Sequence, residues 1–320
     1  MIGKFSAYPH DERGTGKMAR FVNEKILPET LFLKDCNLLL IPGELQETKK
    51  HTRNILWCHV PSLYLPDHFA QYFLDPKIVE GIDLFLVQSE FHKNNLSESY
   101  NIEKEKFYIV NNHFKPIEYK EKSNDKITFI YNSQASRGLD VLLKAFSKVK
   151  NKNIELLVHT CTCSEECINP ENISYDAKVV IDEDPRVKML GFTSREKYVE
   201  NLQKSHAYIY PCTFQETGCI GVMEAMSAGC IVTTTDAGVL PETTGGYAKI
   251  IKGYPIEYQE IDYRDKELVK IFTKEIKKVI KQVKKKNFDP LPQIEYINNR
   301  FTEDNSIRQW MELDRIVGEM

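Results

Sequence analysis

Two carboxylates eight residues apart, Glu216 and Glu224, carry the clearest chemical signal in the chain. They stand in Tyr210-Pro-Cys-Thr-Phe-Gln-Glu216-Thr-Gly-Cys-Ile-Gly-Val-Met-Glu224-Ala-Met-Ser-Ala-Gly229. The apolar run before Pro211 reads as a buried strand, the residues after it as an irregular loop, and Cys219–Gly221 as the start of a helix. A carboxylate accepts two hydrogen bonds in the plane of a vicinal diol, so the pair suits two sugar rings. Thr217, Gly218 and Cys219 fall where a helix N-terminus offers backbone N–H groups, a geometry for a phosphate or a cluster of sugar hydroxyls. Ligands of open α/β sheets bind outside the carboxyl ends of the strands, where such a loop lies. The competing reading makes Glu216 a cap and Glu224 an ordinary helix residue, because two glutamates at this spacing arise often by chance.

Other segments carry polar residues at strand ends. Ile127-Thr-Phe-Ile-Tyr-Asn132-Ser-Gln-Ala-Ser-Arg137-Gly138-Leu-Asp is a strand, a loop and a helix start, with a cation closing the loop. Val187-Lys-Met-Leu-Gly191-Phe192 is a strand closing on a glycine, and Gly229–Thr243 a buried strand leading through Gly238 to Pro241-Glu242. Near the start, Gly14, Gly16, Lys17 and Arg20 form a glycine loop that opens a helix. It is no P-loop, since Asp11 stands where the first glycine is needed and Met18 where Ser or Thr is needed. It also lacks the third glycine of a dinucleotide fingerprint. His59 ends the strand Ile55–His59 and reads either as a sugar ligand or as a satisfied core histidine, with His10 and Asp11 as alternatives to it. His92 reads as exposed helix surface. The cluster His159, Cys161, Cys163 and Cys167 has zinc-like density but lacks the second, separated ligand pair of a closed site, so reduced cysteines are the expectation.

These residues need strands to position them. Expected strands are Ile2–Ala7, Cys36–Ile41, Ile55–His59, Leu84–Gln88 and Phe107–Val110 in the first part. In the second they are Ile127–Tyr131, Glu155–His159, Val187–Leu190, Ala207–Tyr210 and Ile231–Thr234. Several are apolar on both faces, as strands of a covered parallel sheet are. Helical patterns alternate with them at Gly16–Ile26, Phe91–Ser99, Leu139–Lys148, Ser194–Lys204 and Gly221–Ala228, so the class is α/β with parallel sheets. The polar, proline-bearing stretch Lys115–Asp125 separates the two sets. Lys266–Lys286 then holds nine lysines and two glutamates, with an apolar stripe at helical spacing. It reads either as a basic helix lying on an anionic membrane or as a packed helix with a lysine-rich solvated face. A last helix around Asn305–Val317 carries Trp310, Leu313 and Ile316.

At 320 residues the chain suits two domains. Its net charge of -3 disfavours a nucleic-acid partner. No apolar run reaches the ~18–20 residues of a membrane span. The start lacks the apolar block of a secretory signal, so a cytoplasmic setting is expected, with Cys36, Cys58, Cys212, Cys219 and Cys230 as reduced, buried thiols.

Taken in order, the Arg137-Gly-Leu-Asp helix start, the strand ending at Gly191-Phe192, the Glu-x7-Glu segment with Glu-Ala-Met, and the Gly238…Pro241-Glu242 turn resemble the retaining glycosyltransferases of family 4, the group 1 class. The resemblance covers roughly residues 125–250. It implies a GT-B fold, two Rossmann-like α/β domains with parallel sheets facing a central cleft. Residues 1–118 would form the acceptor-side domain and 119–300 the nucleotide-sugar domain, with 301–320 crossing back to the first. It implies that Glu224 holds the ribose of a nucleoside-diphosphate sugar, and that Glu216 with the backbone of Thr217, Gly218 and Cys219 holds the transferred sugar. Gly191 and Phe192 would meet the base and Arg137 the leaving diphosphate. Gly14, Gly16 and Lys17 would face the donor phosphates, and His59 the transferred sugar. No metal and no other cofactor is implied; the acceptor would be a glycan, lipid or protein hydroxyl. Two positions depart from the family pattern: Asn132 stands where a basic residue is usual, and Glu216-Thr-Gly-Cys219 replaces Glu-x-Phe-Gly. The expected activity is sugar transfer with retention. The alternatives are a catalytically degenerate nucleotide-sugar-binding module and a GT-B nucleotide-sugar epimerase.

Overall fold

Among the described residues, ten short strands, most of them buried on both faces, build two parallel sheets that helices cover. The computed structural model describes residues 4–5, 14–40, 52–62, 67–123, 125–160, 173–191, 193–253 and 261–320. By its contacts the chain divides into two units. One comprises Met1–His113, Glu216–Gly218 and Phe301–Met320; the other Phe114–Gln215 and Cys219–Arg300.

The first unit holds a four-stranded sheet in the order β1 (Asn37–Leu39), β2 (Asn54–Trp57), β3 (Leu84–Val87), β4 (Phe107–Ile109). Every pairing is parallel, with Ile55 opposite Leu84 and Phe85 opposite Phe107. The helices are α1 (Gly14–Phe21), α2 (Asp67–Leu74), α3 (Pro76–Glu80) and α4 (Glu90–Tyr100), joined by α12 (Glu303–Glu319). The helix expected over Gly16–Ile26 widens into a π turn at Val22–Ile26 and closes with a 3-10 turn at Leu27–Glu29. Of the strand expected at Ile2–Ala7, all but Lys4 and Phe5 lies outside the described residues.

One face of this sheet packs Phe5, Ile26, Trp57, Leu86, Trp310 and Leu313 into a single cluster. Trp57 and Trp310 meet edge-on with centroids 5.1 Å apart. Asp314 fixes α12 there. Its carboxylate accepts the backbone N–H groups of Leu31 at 2.9 Å, Phe32 at 2.9 Å and Leu33 at 2.7 Å. The other face packs Leu56, Phe73, Phe85, Leu96 and Phe107.

The second unit holds a six-stranded sheet. Its strands are β5 (Ile127–Asn132), β6 (Ile154–His159), β7 (Val187–Met189), β8 (Ala207–Tyr210), β9 (Ile231–Thr235) and β10 (Lys249–Ile251). The order is β10-β9-β8-β5-β6-β7, all parallel. From β5 the chain winds outward to β6 and β7, then crosses back to lay β8, β9 and β10 on the other side. The order therefore reverses between β5 and β8. The helices are α5 (Leu139–Ser147), α6 (Tyr175–Glu183), α7 (Arg195–Lys204), α8 (Ile220–Ser227), α9 (Leu240–Thr244), α10 (Ile261–Lys285) and α11 (Leu291–Arg300). The unit begins at Phe114, ahead of the boundary expected at 118, because Phe114 and Ile117 are buried and Ile117 N–H donates to Ser227 Oγ at 2.9 Å. Gln293 ties α11 to the end of α8 by donating to the carbonyls of Met226 at 3.1 Å and Cys230 at 2.9 Å.

Candidate functional site

In the second unit, the candidate site lies where the strand order reverses between β5 and β8, the place where ligands of open α/β sheets bind. Residues 133–138 follow β5. Tyr131 pins this loop by donating its hydroxyl to the carbonyls of Gln134 at 2.6 Å and Arg137 at 3.2 Å. Ser133 Oγ lies 3.1 Å from the Tyr210 hydroxyl, so the ends of β5 and β8 are stitched together.

The turn into α5 requires glycine at position 138. Its φ is +93°, and a Cβ there would sit 1.9 Å from the carbonyl oxygen of Pro211. Close approach of the two loops sets the half-buried Arg137 guanidinium against the Phe214 ring, 4.1 Å from its centroid. Threonines in the buried strand β9 explain themselves here: Thr234 Oγ1 donates to the Tyr210 carbonyl at 2.8 Å, and Thr235 Oγ1 to that of Cys212.

Helix α8 starts after Cys219 and carries Glu224 one turn in. Glu224 is buried, and its Oε1 lies 2.6 Å from Arg195 Nη1. The Tyr198 hydroxyl also hydrogen-bonds this carboxylate, and burial followed by the Glu224 charge holds the phenol well above its ordinary pKa. Asn132 Nδ2 donates to the Tyr198 oxygen. The result is a chain from Asn132 through Tyr198 to Glu224, closed by Arg195. It fixes the orientation of the carboxylate. Asn132 is therefore engaged with Tyr198, and Ser133 with Tyr210. Gly191 follows β7 with φ +61°; Phe192 lies outside the described residues.

Arg195 and Tyr198 were missed in the sequence. Ser194 caps α7 by accepting the Lys197 N–H, and a tyrosine four residues before Leu202 in an otherwise polar helix marks its buried face. That spacing is the one sequence signal for the face, and it says nothing of the partner on α8.

In the first unit, residues 216–218 lie at the carboxyl ends of β2, β3 and β4. Ser89 Oγ accepts the His92 N–H at 3.1 Å, capping α4, and donates to the Thr217 carbonyl at 3.0 Å. Thr217 Oγ1 donates to the His59 carbonyl at 3.3 Å, and Asn112 Nδ2 to the Gly218 carbonyl at 3.0 Å. Glu216 is 6% exposed.

His59 sits against Trp57, ring centroids 4.4 Å apart. The Gln88 amide donates to the Cys58 carbonyl at 2.5 Å and faces His59 Nδ1 at 3.5 Å. With Nδ1 facing a donor, the imidazole proton belongs on Nε2, which is buried and has no hydrogen-bond partner among the described residues. Burial, then the neighbouring His92, pushes the His59 pKa down to about 3. His59 is thus a neutral hydrogen-bond donor at physiological pH, with one N–H left for a ligand.

His92 is not exposed, contrary to expectation. It is fully buried, with Nδ1 2.9 Å from Gln88 Oε1 and Nε2 3.1 Å from the Val60 carbonyl. The weak amphipathic signal of α4 hid this inward face. Gly14, Gly16 and Lys17 fall in α1, where Lys17 is exposed and Arg20 half-buried. His10 and Asp11 lie outside the described residues.

The cysteine-rich cluster keeps only His159 among the described residues. Its Nδ1 pairs with Thr193 Oγ1 at 3.3 Å and its Nε2 with Asn201 Nδ2 at 3.0 Å, so neither nitrogen points to a metal. Among the described residues no group of His, Cys, Asp and Glu could hold a metal ion. Cys36, Cys58, Cys212, Cys219 and Cys230 are all buried, and none forms a disulfide with another described residue.

Two parallel-sheet α/β units, the second reversing its strand order between β5 and β8, define a protein of the doubly wound α/β class. The chain belongs to the glycosyl transferases group 1, whose family pattern matches residues 111–286. No curated protein matches it in sequence. Its fold is that of GT-B glycosyltransferases of known structure. A Rickettsia africae glycosyltransferase shares 15% identity and a TM-score of 0.62, covering 83% of this chain and 77% of that one. An Anabaena protein, HepE, solved with UDP-glucose, shares 15% identity and a TM-score of 0.65, over 96% and 84%. The pneumococcal O-GlcNAc transferase GtfA, solved with UDP and GlcNAc, shares 14% identity and a TM-score of 0.63, over 89% of this chain but 58% of its own length. Among the described residues no helix is long and apolar enough to cross a membrane.

Proposed function

We propose that the protein transfers a sugar from a nucleoside-diphosphate sugar to an acceptor hydroxyl, with retention of configuration and without a metal ion. The observation that carries this reading is the buried Glu224 carboxylate, held by Arg195 and Tyr198 beside the reversal of the second sheet. The resemblance assigns the ribose to this carboxylate, and an acceptor whose orientation is already fixed binds a diol without reorganising. Arg137 would take the charge that grows on the leaving diphosphate.

The resemblance assigns the transferred sugar to Glu216 and His59. His59 fills that role as an Nε2–H donor to a sugar hydroxyl, because its depressed pKa makes it a poor base. For retention we favour departure and attack on one face. The bond from C1 to the diphosphate oxygen breaks, the acceptor oxygen bonds to C1, and the diphosphate receives the acceptor's proton. A sugar trapped covalently on Glu216 would refute this route.

The test offers a panel of nucleotide sugars with simple hydroxyl acceptors, in chelator, and follows nucleoside diphosphate release and the anomeric configuration of the product. Inversion of configuration, or activity restored only by metal, would overturn the corresponding part. A binding module without turnover is the second reading, favoured by Asn132 in place of a cation. Donor binding with neither hydrolysis nor transfer would establish it.

A further inference from the structure

Charge in this chain is strongly segregated. Residues 266–286 carry nine lysines and two glutamates, a net +7 within a chain of -3, which leaves -10 on everything else. Those residues form most of α10, the longest described helix at 25 residues. At about 100° per residue, eight of the nine lysines, from Lys266 to Lys285, fall within an arc of about 120°. All eight are exposed.

The opposite side is buried through Leu268, Phe272, Ile276 and Val279 and packs on α5, where Thr273 Oγ1 donates to the Ala145 carbonyl at 3.3 Å. Glu275 is buried at the edge of the stripe and pairs with Lys278 at 2.7 Å. Of the nine positions on that arc between 266 and 285, eight are lysine and one is the exposed Glu267; a solvated helix needs no such bias, since alternating signs serve solubility as well and add i,i+4 support.

We propose that the lysine stripe of α10 docks the protein on an anionic lipid bilayer. A straight helix lays its lysines along a line of about 29 Å, at 1.5 Å per residue, which a flat surface can meet along its whole length. From Lys266 to Lys285 no aromatic residue falls on that arc to stack on bases, and no arginine to read them, so single strands and base edges find little there. The -10 on the rest of the molecule repels a polyanion that wraps around it but not a plane that touches one face. Without apolar residues on the stripe, the attachment is electrostatic and shallow, and each lysine raises the partition about fivefold. The proposal is independent of the sugar-transfer reading and is tested without a donor.

The experiment is co-sedimentation of the full chain with sucrose-loaded vesicles. One set is pure phosphatidylcholine, and the other contains phosphatidylglycerol at about a third of the lipid. The stripe variant is K270E/K274E/K277E/K281E, and the control K34E/K148E/K150E/K152E makes the same charge change at exposed lysines elsewhere. Melting curves verify that each is folded. The wild type and the control should bind the anionic vesicles in low salt and detach in 0.5 M salt, of order a Debye length of ~4 Å. The stripe variant should lose at least ~100-fold in partition. Equal binding to both vesicle types, an undiminished stripe variant, or displacement from vesicles by an equal charge concentration of a 30-base-pair duplex would each overturn the proposal.

Discussion

Replacing Glu224 with glutamine isolates the charge that the proposed donor site depends on. The amide keeps the side chain's volume and can still accept from Tyr198, so the packing around α8 is preserved. What it loses is charge assistance. A hydrogen bond to an ionised group is worth about 1.5–3 kcal/mol, roughly twice a neutral one. Two such bonds to a ribose diol, each halved, weaken donor binding by about 1.5–3 kcal/mol, or about 10- to 150-fold. The fold suffers much less. Arg195 is 46% exposed, so solvent screens its pair with Glu224, and the loss of that pair amounts to at most ~1 kcal/mol. This corresponds to a fall in Tm of about 2–4 °C. Titration calorimetry with the nucleotide sugar that the wild type binds most tightly measures the first quantity, and a thermal melt the second. An E224Q protein that melts near the wild type and binds the donor equally well would refute the assignment of the ribose to this carboxylate.

Other substitutions probe the rest of the framework. Gly138→Ala places a Cβ 1.9 Å from the Pro211 carbonyl at a left-handed φ, so it should destabilise the second unit by at least ~2 kcal/mol and weaken donor binding; an unchanged melt and unchanged Kd would show that the two loops are not held together. Asp314→Ala removes three charge-assisted bonds to Leu31, Phe32 and Leu33 and should cost about 3–5 kcal/mol, read as early urea unfolding of the first unit. His159 is pushed down to about 4 by burial, with Lys204 adding to it, so between pH 4 and 6.5 the unfolded chain binds the extra proton. Its contribution is complete above pH 6.5 and is lost as pH falls toward 4, up to about 3 kcal/mol; His159→Gln should flatten that part of a stability–pH profile. His59→Asn should lower turnover without moving its pH dependence between 5 and 8, because the native imidazole is already neutral there.

Strands that are apolar on both faces were legible because burial of both faces leaves a continuous hydrophobic run. Ile127–Asn132 and Ala207–Tyr210 stand within a residue of where that rule puts them. Strand β10 escaped because it is a three-residue edge with an exposed lysine, and α3 because five residues hold little more than one turn. Helices α6 and α11 bury only one and two residues, so neither shows an apolar stripe. Glu224 could be read from the motif around it. Its grip by Arg195 and Tyr198 could not, since the two helices meet only after the sheet has formed. His92 was misplaced for a related reason: the pocket of Gln88 and Val60 that buries a polar ring exists only in three dimensions.

The clasp between Asp314 and residues 31–33 bears on the order in which the molecule can assemble. The cluster around Phe5 and Trp57 is completed by Trp310, Leu313 and Val317, which leave the ribosome only after the whole second unit. At 5–20 residues per second, about 200 intervening residues take roughly 10–40 s. For that interval the first unit is short of an aromatic wall and one side of its sheet is covered only in part, by residues such as Val22, Ile26 and Leu33, whereas the second can mature as it emerges. Translation thus reverses the usual sequence of events: what is made first is finished last, and chaperones that shield nascent apolar surface have a defined window in which to act.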